Sequence, residues 1–344
     1  ITKTNIMLDC EIKPAPNNGV LPDLFYSTSH LPTQVRVKGE WVDVENIEMD
    51  LAIRIEYNPL RAMAIPMASA KAWDNIVVGH EGIKISPLTK PKEHDVFSFM
   101  GSEISSERPN KHIIHEIAEK MKLIRNNRHD CSDKDLGTKV LLVGGPAIVH
   151  SGGREALSWM IDEGYIHVLF SGNALPTHDM EVSLYGTSLG FRLDDGVIVP
   201  HGHQHHLYAI NKVRGAGSIK NAVESGLIKD GIMASCIRHN VDIVLGGSIR
   251  DDGPLPDVET DMIKAQWAMR EALPGVGLVL MVATTLHSIA TGNCLPAKIP
   301  SVCVDINSAV PTKLADRGSF QAVGLVMDAS SFVKELAREL SWEG

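Results

Sequence analysis

Five short apolar runs in the second part of the chain constrain its fold more than any other feature. They follow Gly137, each separated from the next by a helix-length interval, and read KVLLVGG, IHVLF, VDIVLGG, GLVLMVATT and SVCVDIN. Strands that alternate with helices in this way are typical of a parallel sheet covered by helices. Right-handed crossovers bring the carboxyl ends of such strands to one edge. The sequence therefore predicts an α/β domain whose functional residues lie at that edge.

The first part of the chain has a different pattern. Residues 1 to about 95 are rich in β-branched alternation and turn residues, and the segments VRVKGEWVDV from Val35 and LAIRIEY from Leu51 predict antiparallel strands. Between Arg108 and Ile124, apolar residues recur at helical spacing. We therefore expect a small β-rich domain over residues 1–95 and a domain of parallel strands over residues 96–344.

Composition narrows the classes of function. The chain has 344 residues, a formal net charge of −9 and no basic run, which argues against a nucleic-acid partner because phosphate binding requires clustered Lys and Arg. No stretch of about 18 apolar residues could span a bilayer, so no membrane partner is expected. The five cysteines are widely separated and lack CxxC spacing, which is typical of reduced thiols in a cytoplasmic protein. A small-molecule metabolite is the expected partner.

An acidic, proline-containing loop follows one of the apolar runs, in VLGGSIRDDGPLPDVETDMIKAQ from Val244. At the carboxyl end of a strand, Asp251 and Asp252 would project into the crevice where α/β proteins bind ligands. The alternative is an ordinary surface turn, because Asp and Gly are common turn residues. Lys264 lies in the following predicted helix, eight residues after Pro256. If buried, it could act as a base or polarise a substrate, whereas at the helix surface it would be a solvated lysine.

A candidate phosphate-binding turn lies in VLLVGGPAIVHSGG, from Val140 to Gly153. A strand, a tight turn and a helix start present backbone N–H groups to a phosphate, although the segment is not GxGxxG and its glycines could serve only close packing. The next predicted strand ends in VLFSGNALPTHDMEVSL, which we expect to place Asn173, Ala174 and Asp179 at the same edge. A carboxylate such as Asp179 or Asp305 could bind ribose hydroxyls there, or could cap the following helix.

Two groups of histidines are candidate ligand contacts. The run HGHQHH begins at His201, and on a strand its alternating histidines would share one face. Imidazole is a common metal ligand, but no Cys or Glu completes the set, the run serves equally well as a polar lip of a substrate pocket, and no metal is expected. His287, in TTLHSIATGN, follows another apolar run and is interpreted as a ligand contact or as a buried, satisfied histidine.

Long motifs spread along the chain resemble one known family. They are GVLPDLFYSTSHLPT, SGNALPTHD, LYGTSLG, GSIRDDGPLPDV, LHSIATGN and VDINSAVPTKLADRGS. In these motifs the chain closely resembles the archaeal-type ornithine cyclodeaminases, also described as the LOR/SDH bifunctional-enzyme conserved-domain family. It is similar as well to the C-terminal half of cyanobacterial arginine dihydrolase/ornithine cyclodeaminase fusions. The resemblance covers nearly the whole chain and is least clear from about Gly79 to Met100.

The resemblance implies a fold and an activity. The expected architecture is α/β, with a β-rich N-terminal domain followed by a parallel-sheet, Rossmann-like NAD-binding domain. The expected reaction converts L-ornithine to L-proline with loss of ammonia, and NAD is regenerated in each turnover. A more distant resemblance of the C-terminal domain to deoxyhypusine synthase, which also oxidises an amine with bound NAD, points to the same chemistry.

The two resemblances and the strand-end positions together define the expected cofactor site. Its expected contacts lie in the first nucleotide-contacting turn, at the second and third strand ends, and at the adenosine end, and they are Gly145, Pro146, Ala147, Asn173, Ala174, Asp179, Thr285, His287, Asp305 and Ile306. In deoxyhypusine synthase a catalytic lysine follows a related acidic loop, and Lys264 is at the matching place in this chain.

Substrate contacts are expected from both domains. We expect Asp251 and Asp252 to bind the ammonium groups of ornithine or to accept a proton, with Lys264 as an alternative base. His205 and His206 are expected at the substrate as alternative proton shuttles, since histidine titrates near neutral pH. From the N-terminal domain, Tyr26 and Arg36 are expected to close the pocket, with the guanidinium paired to the substrate carboxylate.

Three other functions remain open at this point. An NAD-dependent amino-acid dehydrogenase would use the same site but release NADH, and a deoxyhypusine-synthase-like transferase would need a polyamine and a protein acceptor. A non-enzymatic NAD-sensing module would bind the cofactor without turning over an amine. Ornithine and lysine differ by one methylene, which residue identities alone do not resolve. A homo-oligomer is expected, because symmetric homo-oligomers are common among enzymes of this kind.

Overall fold

The computed structural model describes residues 8–86, 110–130, 136–192, 197–200, 202–251, 253–316 and 322–344. The described residues form two compact units. The first contains residues 8–86 and the later segment Gly292–Lys298, and the second contains the described residues of 110–291, 299–316 and 322–344. The later segment belongs to the first unit through hydrogen bonds such as that between His30 Nδ1 and the Leu295 carbonyl oxygen, at 2.7 Å.

The first unit is built on a seven-stranded sheet with the order β1-β6-β4-β5-β3-β2-β7. Its neighbouring strands are antiparallel except for β3 and β5, which are parallel. The strands are β1 (Glu11–Pro14), β2 (Thr33–Val37), β3 (Glu40–Glu45), β4 (Ala52–Tyr57), β5 (Leu60–Ile65), β6 (Asn75–Val78) and β7 (Ile83–Ile85).

Turn chemistry and alternation explain this sheet. Strands β2 and β3 are joined by Lys38 and Gly39, whose φ angles of 52° and 83° are those of a two-residue hairpin turn that matches strand twist. Along β2, residues alternate between buried and partly exposed, so that Val35 and Val37 reach the apolar core of the unit. The predicted β-rich region is therefore confirmed as a sheet.

The second unit is built on seven parallel strands with the order β13-β12-β9-β8-β14-β15-β16. A short antiparallel hairpin of β10 and β11 precedes the fifth helix. The strands are β8 (Lys139–Gly144), β9 (Val168–Gly172), β10 (Thr187–Ser188), β11 (Phe191–Arg192), β12 (Asp242–Gly246), β13 (Val258–Glu259), β14 (Val276–Val282), β15 (Ser301–Asp305) and β16 (Ala322–Val326).

Eleven α-helices accompany these strands within the described ranges. They are α1 (Asn110–Asp130), α2 (Ala147–His150), α3 (Arg154–Asp162), α4 (Ala174–Tyr185), α5 (His205–Ala216), α6 (Ile219–Glu224), α7 (Ile232–Arg238), α8 (Met262–Ala272), α9 (Thr285–Cys294), α10 (Ala309–Asp316) and α11 (Ala329–Glu339). None of them, as far as the chain is described, combines the length and apolar content that crossing a bilayer requires.

The apolar runs identified in the sequence are all strands of the parallel sheet. Every residue of β14 is buried, and five of the six residues of β8 are, because both strands are covered by helices. The apolar residues that recur at helical spacing lie on α1, where Ile114, Ile117 and Met121 pack into the core of the unit. The predicted α/β architecture is therefore confirmed.

Candidate functional site

In the sheet of the second unit, the order of the strands reverses between β8 and β14. From β8 the chain continues on one side through β9, β12 and β13, and β14 then begins the other side with β15 and β16. Val282, at the end of β14, is paired with Gly144, at the end of β8. In open α/β sheets a ligand crevice lies outside the carboxyl ends of the two strands at such a point. This edge is the candidate site.

A glycine turn forms the floor of this crevice. The Gly145 N–H donates to the Val282 carbonyl oxygen at 2.9 Å, and a Cβ added at Gly145 would lie 1.8 Å from the carbonyl oxygen of Ala283. Only glycine fits between the two strand ends. Pro146 and Ala147 follow directly and begin α2, so the three residues of the predicted first turn lie at the switch point.

The end of β9 is joined to the acidic loop by a buried side chain. Asn173 follows β9, and its Oδ1 accepts a hydrogen bond from the Leu255 N–H at 2.9 Å. Ala174 comes next, is exposed and begins α4. Asn173 therefore fixes the loop that follows β12 against the strand end where a cofactor contact is predicted.

Asp251 closes a tight turn just beyond β12. Its carboxylate accepts hydrogen bonds from the backbone N–H of Ser248 at 2.8 Å and from the Ser248 hydroxyl at 3.1 Å. A carboxylate has about four acceptor positions, so these two bonds leave others available to a ligand. The side chain is partly exposed at the sheet edge. Asp252, predicted to act beside it, lies outside the described residues.

His287 joins three of the strand ends. Its ring covers the glycine ends of β9 and β12, since a Cβ added at Gly172 would lie 2.9 Å from the ring Cε1 and one at Gly246 3.7 Å from Nε2. The Thr284 hydroxyl lies 3.3 Å from His287 Nδ1. Burial lowers the pKa of His287, and a hydrogen bond with the Gly246 backbone and the charge of Asp251 oppose the shift. The ring is therefore neutral near pH 7.

The last predicted cofactor contacts follow β15. Asp305 is partly exposed, and one of its carboxylate oxygens accepts from the Asn307 N–H at 2.8 Å. Ile306 is 76% exposed, and Leu286 beyond β14 and Ile249 beyond β12 are exposed apolar residues at the same edge. Thr285, the first residue of α9, is exposed there too.

These residues fit a dinucleotide. The partly exposed residues Pro146 and Ala147 follow the glycine turn at the switch point, where dinucleotides bind in open α/β sheets. The Asp305 carboxylate has acceptor positions for ribose hydroxyls. The exposed side chains of Ile249, Leu286 and Ile306 provide apolar surface for planar rings.

Asp179 lies away from this edge. It is in the second turn of α4, is 0% exposed, and accepts hydrogen bonds from Arg154 Nε at 2.7 Å and from the N–H groups of Ile232 and Met233 at 2.9 and 2.8 Å. The last two bonds cap the start of α7, where Gly231 has a φ of 99°. Burial raises the pKa of Asp179, and Arg154 opposes the shift. The carboxylate holds α3, α4 and α7 together, and its ribose contact stays a prediction.

Lys264 is exposed in the first turn of α8. Its backbone N–H and that of Ile263 are capped by the carboxylate of Asp261, at 3.3 and 2.9 Å. The Lys264 side chain is therefore a solvated lysine at the helix surface, which is one of the two alternatives that the sequence allowed. Its role as a base stays a prediction.

The histidine run does not form a strand. Gly202–Gln204 is a turn of 3-10 helix and α5 begins at His205, so the described histidines do not alternate across a strand, the arrangement considered for a metal site. His205 Nδ1 lies 2.7 Å from the Thr187 hydroxyl, and its ring stacks on Tyr185 with centroids 4.8 Å apart. The ring of His206 lies 6.0 Å from that of His178. Within the described part of the chain, no three His, Cys, Asp or Glu side chains could hold a metal ion together.

Tyr26 and Arg36 belong to the first unit. Tyr26 is buried in its core, burial raises the pKa of the phenol, and the ring meets His80 edge to face at 5.6 Å between centroids. Arg36 Nη1 pairs with Asp9 Oδ1 at 3.0 Å. Their substrate contacts stay predictions.

Other residues of the site were not identified from the sequence. Ser171 in β9 donates its hydroxyl proton to the Gly144 carbonyl oxygen at 2.7 Å and ties two strand ends together. His178 and Glu181 form a buried pair in α4, with Nδ1 and Oε2 2.8 Å apart. Their spacing of three in a predicted helix, which puts both on one face, is the signal that could have found them.

Family models match most of the chain. The first region of the arginine dihydrolase ArgZ-like C-terminal part matches residues 32–114. The Rossmann fold of the same ArgZ-like C-terminal part matches residues 115–336 and so contains the whole switch-point crevice. The Rossmann-like assignment of the second unit is confirmed by this match.

Comparison with individual proteins indicates the same family. The chain is 50% identical to the ornithine cyclodeaminase of Methanocaldococcus jannaschii over 333 residues, which are 96% of this chain and 78% of that protein. A crystal structure of a conserved LOR/SDH protein from Methanococcus maripaludis S2 is 47% identical and superposes with a TM-score of 0.89 over 97% of this chain and 98% of that one.

A structure with bound ligands is also similar. The ternary complex of AgrE with ornithine and NAD+ is 41% identical and superposes with a TM-score of 0.63, over 99% of this chain and 47% of that chain. This chain thus matches about half of the larger protein. The chain belongs to the family of the arginine dihydrolase ArgZ-like C-terminal part, which it shares with the archaeal ornithine cyclodeaminases.

Proposed function

We propose that this protein is an ornithine cyclodeaminase, which converts L-ornithine to L-proline and ammonia with NAD as a recycled cofactor. The observation that carries the proposal is the 50% identity, over 96% of the chain, to a protein of that name. The complex of the related AgrE with ornithine and NAD+ supports both the substrate class and the cofactor. The crevice at the switch point of the sheet is the place in this chain where they would bind.

The residues at the crevice suit such a cofactor. Gly145, Pro146 and Ala147 would face its phosphates and Asp305 a ribose, with Ile306 against a ring. When bound, NAD takes the two electrons and the hydrogen of the substrate α-carbon and later returns them to the cyclic imine.

The residues of the protein must bind the diamino acid and transfer its protons. Asp251 is held at the sheet edge by Ser248 with acceptor positions to spare, so it would bind an ammonium group of ornithine or take its proton. Neutral His287, fixed over the ends of β9 and β12, would orient the reacting carbon and exclude water from the imine. Both side chains lie at one edge, as a single reacting centre requires.

The remaining predicted contacts keep their place in the proposal. Asp252 and Lys264 would assist Asp251, and Tyr26 and Arg36 remain expected substrate contacts. His205 and His206 would be alternative proton shuttles at the substrate.

Two broader features belong to the same proposal. A reducing, cytoplasmic location is supported by four free and buried cysteines in the described part of the chain. A homo-oligomer is supported by exposed apolar side chains on β11 and α5, among them Phe191 and Leu207.

Turnover with catalytic NAD tests the proposal. The purified protein is incubated with L-ornithine and a small amount of NAD, and proline, ammonia and NADH absorbance are followed together. Equal amounts of proline and ammonia without net NADH are expected. Accumulating NADH would identify a dehydrogenase instead, and a parallel reaction with L-lysine measures how strictly the pocket length selects ornithine.

A further inference from the structure

A second cluster of polar side chains extends from the His178–Glu181 pair of α4 to β10 and α5. The buried carboxylate of Glu181 accepts a hydrogen bond from His178 Nδ1 at 2.8 Å on one oxygen and from the Thr187 hydroxyl at 3.0 Å on the other. Thr187 in turn lies 2.7 Å from His205 Nδ1. Glu181 and Thr187 are 0% and 1% exposed. The four side chains form a continuous chain of hydrogen bonds, here called the α4 network.

The direction of each hydrogen bond follows from what each group can donate. An ionised carboxylate only accepts, so the Thr187 hydroxyl gives its single proton to Glu181 and must accept from an Nδ1–H of His205. His178 likewise donates from Nδ1. Both imidazoles therefore turn Nδ1–H towards the carboxylate, and Nε2 is the atom at which each can take up a further proton.

A carboxylate that holds an imidazole in this way strengthens it as a base. The negative charge stabilises the imidazolium that forms when Nε2 is protonated, and the hydrogen bond fixes the tautomer. Glu181 holds His178 directly and His205 through Thr187. One buried charge thus supports two proton-binding sites.

The α4 network borders the cofactor turn. His150 ends α2, three residues after Ala147, and its ring meets that of His178 edge to face with centroids 4.5 Å apart. His178 itself is four residues beyond Ala174 in α4, about 6 Å along the helix axis. Two helices that begin at the crevice therefore carry this network about one helical turn away from it.

The proposed reaction needs temporary storage of protons. The α-ammonium must lose a proton before its carbon is oxidised, and the δ-ammonium must lose one before its nitrogen forms the new bond to the α-carbon. The bond from the α-carbon to the α-nitrogen then breaks. The departing ammonia and the ring nitrogen of proline each regain a proton, and the two electrons withdrawn by NAD return to the same carbon. Two protons leave the substrate and two come back.

We propose that the α4 network holds one of these protons between the two halves of the reaction. The network would take it up at an imidazole, stabilise it through Glu181, and return it to the ammonia or to the ring nitrogen. His178 and His205 are the proton-binding groups, while Glu181 and Thr187 are positioning residues. This inference rests on the proposed function and adds to it the residues that keep the proton balance.

Other titratable groups surround the network and enter its pH dependence. They come from α2, α4 and α5, and they are His150, Tyr185, His206, Tyr208 and Lys212. Burial and the neighbouring His178 lower the pKa of His150 to about 4, so His150 stays neutral while the network gains a proton.

Thr187→Val and Thr187→Ser form the matched pair that tests the proposal. Valine keeps the shape of the side chain and removes the hydroxyl link, whereas serine restores the link. For ornithine turnover we expect Thr187→Val to lower kcat by about 100-fold with KM changed less than about threefold, and Thr187→Ser to stay within about threefold of the natural protein. The solvent deuterium isotope effect on kcat should rise in Thr187→Val alone. An unchanged kcat and pH profile in Thr187→Val would overturn the proposal.

A second measurement does not depend on turnover. With ¹⁵N-labelled histidine, NMR should show His178 and His205 as Nδ1–H tautomers in the natural protein, and His205 should lose this preference in Thr187→Val. An Nε2–H tautomer at either histidine of the natural protein overturns the network. Nδ1–H tautomers without any proline formation overturn the proposed function alone. If Thr187→Val loses cooperative melting, Glu181→Gln takes its place with the same expectations.

Discussion

Helix α4 carries two buried carboxylates, Asp179 and Glu181, which are two positions apart in the chain, and their hydrogen-bond partners differ in kind. Asp179 is surrounded by a guanidinium and two backbone N–H groups, none of which can give up a proton near neutral pH. Glu181 accepts from an imidazole, from a hydroxyl that leads to a second imidazole and, at 3.5 Å, from the Gly190 backbone N–H. The first set of partners fixes a charge, and the second allows a proton to be shared.

The comparison of Asp179 with Glu181 indicates how a structural role can be distinguished from a catalytic role at a buried carboxylate. Both carboxylates are 0% exposed, so burial alone does not distinguish them. What distinguishes them is whether the hydrogen-bond partners titrate in the working range of pH. Removing Asp179 should therefore affect stability, and removing the charge of Glu181 should affect turnover.

The largest expected effect is the loss of the Asp179 carboxylate. Asp179→Ala should lower the free energy of unfolding by about 3–5 kcal/mol, because Arg154 loses a buried partner and the start of α7 loses its cap. Urea denaturation followed by circular dichroism measures it. Asp230→Ala, which removes the exposed partner of the same arginine, is the control and should cost less than about 1 kcal/mol.

Glu181→Gln should show the reverse pattern. The amide keeps the volume of the side chain, so the unfolding midpoint should move little, but the imidazoles lose their stabilising charge and kcat should fall by about 100-fold. Steady-state kinetics and thermal melting on the same sample measure both. Glu155→Gln, at an exposed position in α3, should change neither. A large loss of stability with unchanged kcat would make Glu181 another structural carboxylate.

Gly145→Ala tests the glycine turn, where the space around the backbone, and not a carboxylate, should determine NAD affinity. The added methyl group would lie 1.8 Å from the Ala283 carbonyl oxygen, so the turn must open and NAD affinity should fall by roughly tenfold or more. Calorimetric titration with NAD measures it. Gly215→Ala in α5, whose added methyl group meets nothing within 4 Å, should bind NAD normally.

The smallest expected effect is the loss of stability in acid that the buried side chain of His167 causes. Burial lowers the pKa of His167 to about 4, with Arg128 and Lys139 adding to the shift, and its Nδ1 accepts from the Val140 N–H at 3.0 Å. The unfolded chain, in which histidine has a pKa near 6.5, binds more protons, so stability is lost as pH falls from about 6.5 to about 4.

His167→Asn can keep the acceptor and remove the titration. Its free energy of unfolding should therefore lose about 1 kcal/mol less than that of the natural protein between pH 8 and pH 5.5. Urea titrations at the two pH values measure the difference. Equal acid sensitivity of the two proteins would show that His167 is not neutral in the fold.

Much of the fold could be predicted from the sequence, for a physical reason. A strand buried on both faces must be apolar throughout, and β8 and β14 therefore stand out as uninterrupted runs. Strands β13 and β16 were not among the predicted runs. The first has two residues, and the second, AVGLV, is interrupted by Gly324 and partly exposed.

The site was predictable only in part. Strand ends mark which residues reach the crevice, so Gly145, Asp251 and Asp305 lie where the pattern places them. The partners of Asp179 are 25, 53 and 54 residues away in the chain, and no local pattern reveals them. Similarly, His205 joins Glu181 only through Thr187, so the histidine run had no visible connection to a carboxylate.

Isotope transfer tests the central claim most directly. L-Ornithine that carries deuterium on its α-carbon is turned over with unlabelled NAD, and the proline is analysed by mass spectrometry and NMR. Since the cofactor is recycled within one turnover, the α-carbon of proline should retain the deuterium and the NAD pool should stay unlabelled. Proline without deuterium, or label that appears in released NADH, would contradict the account.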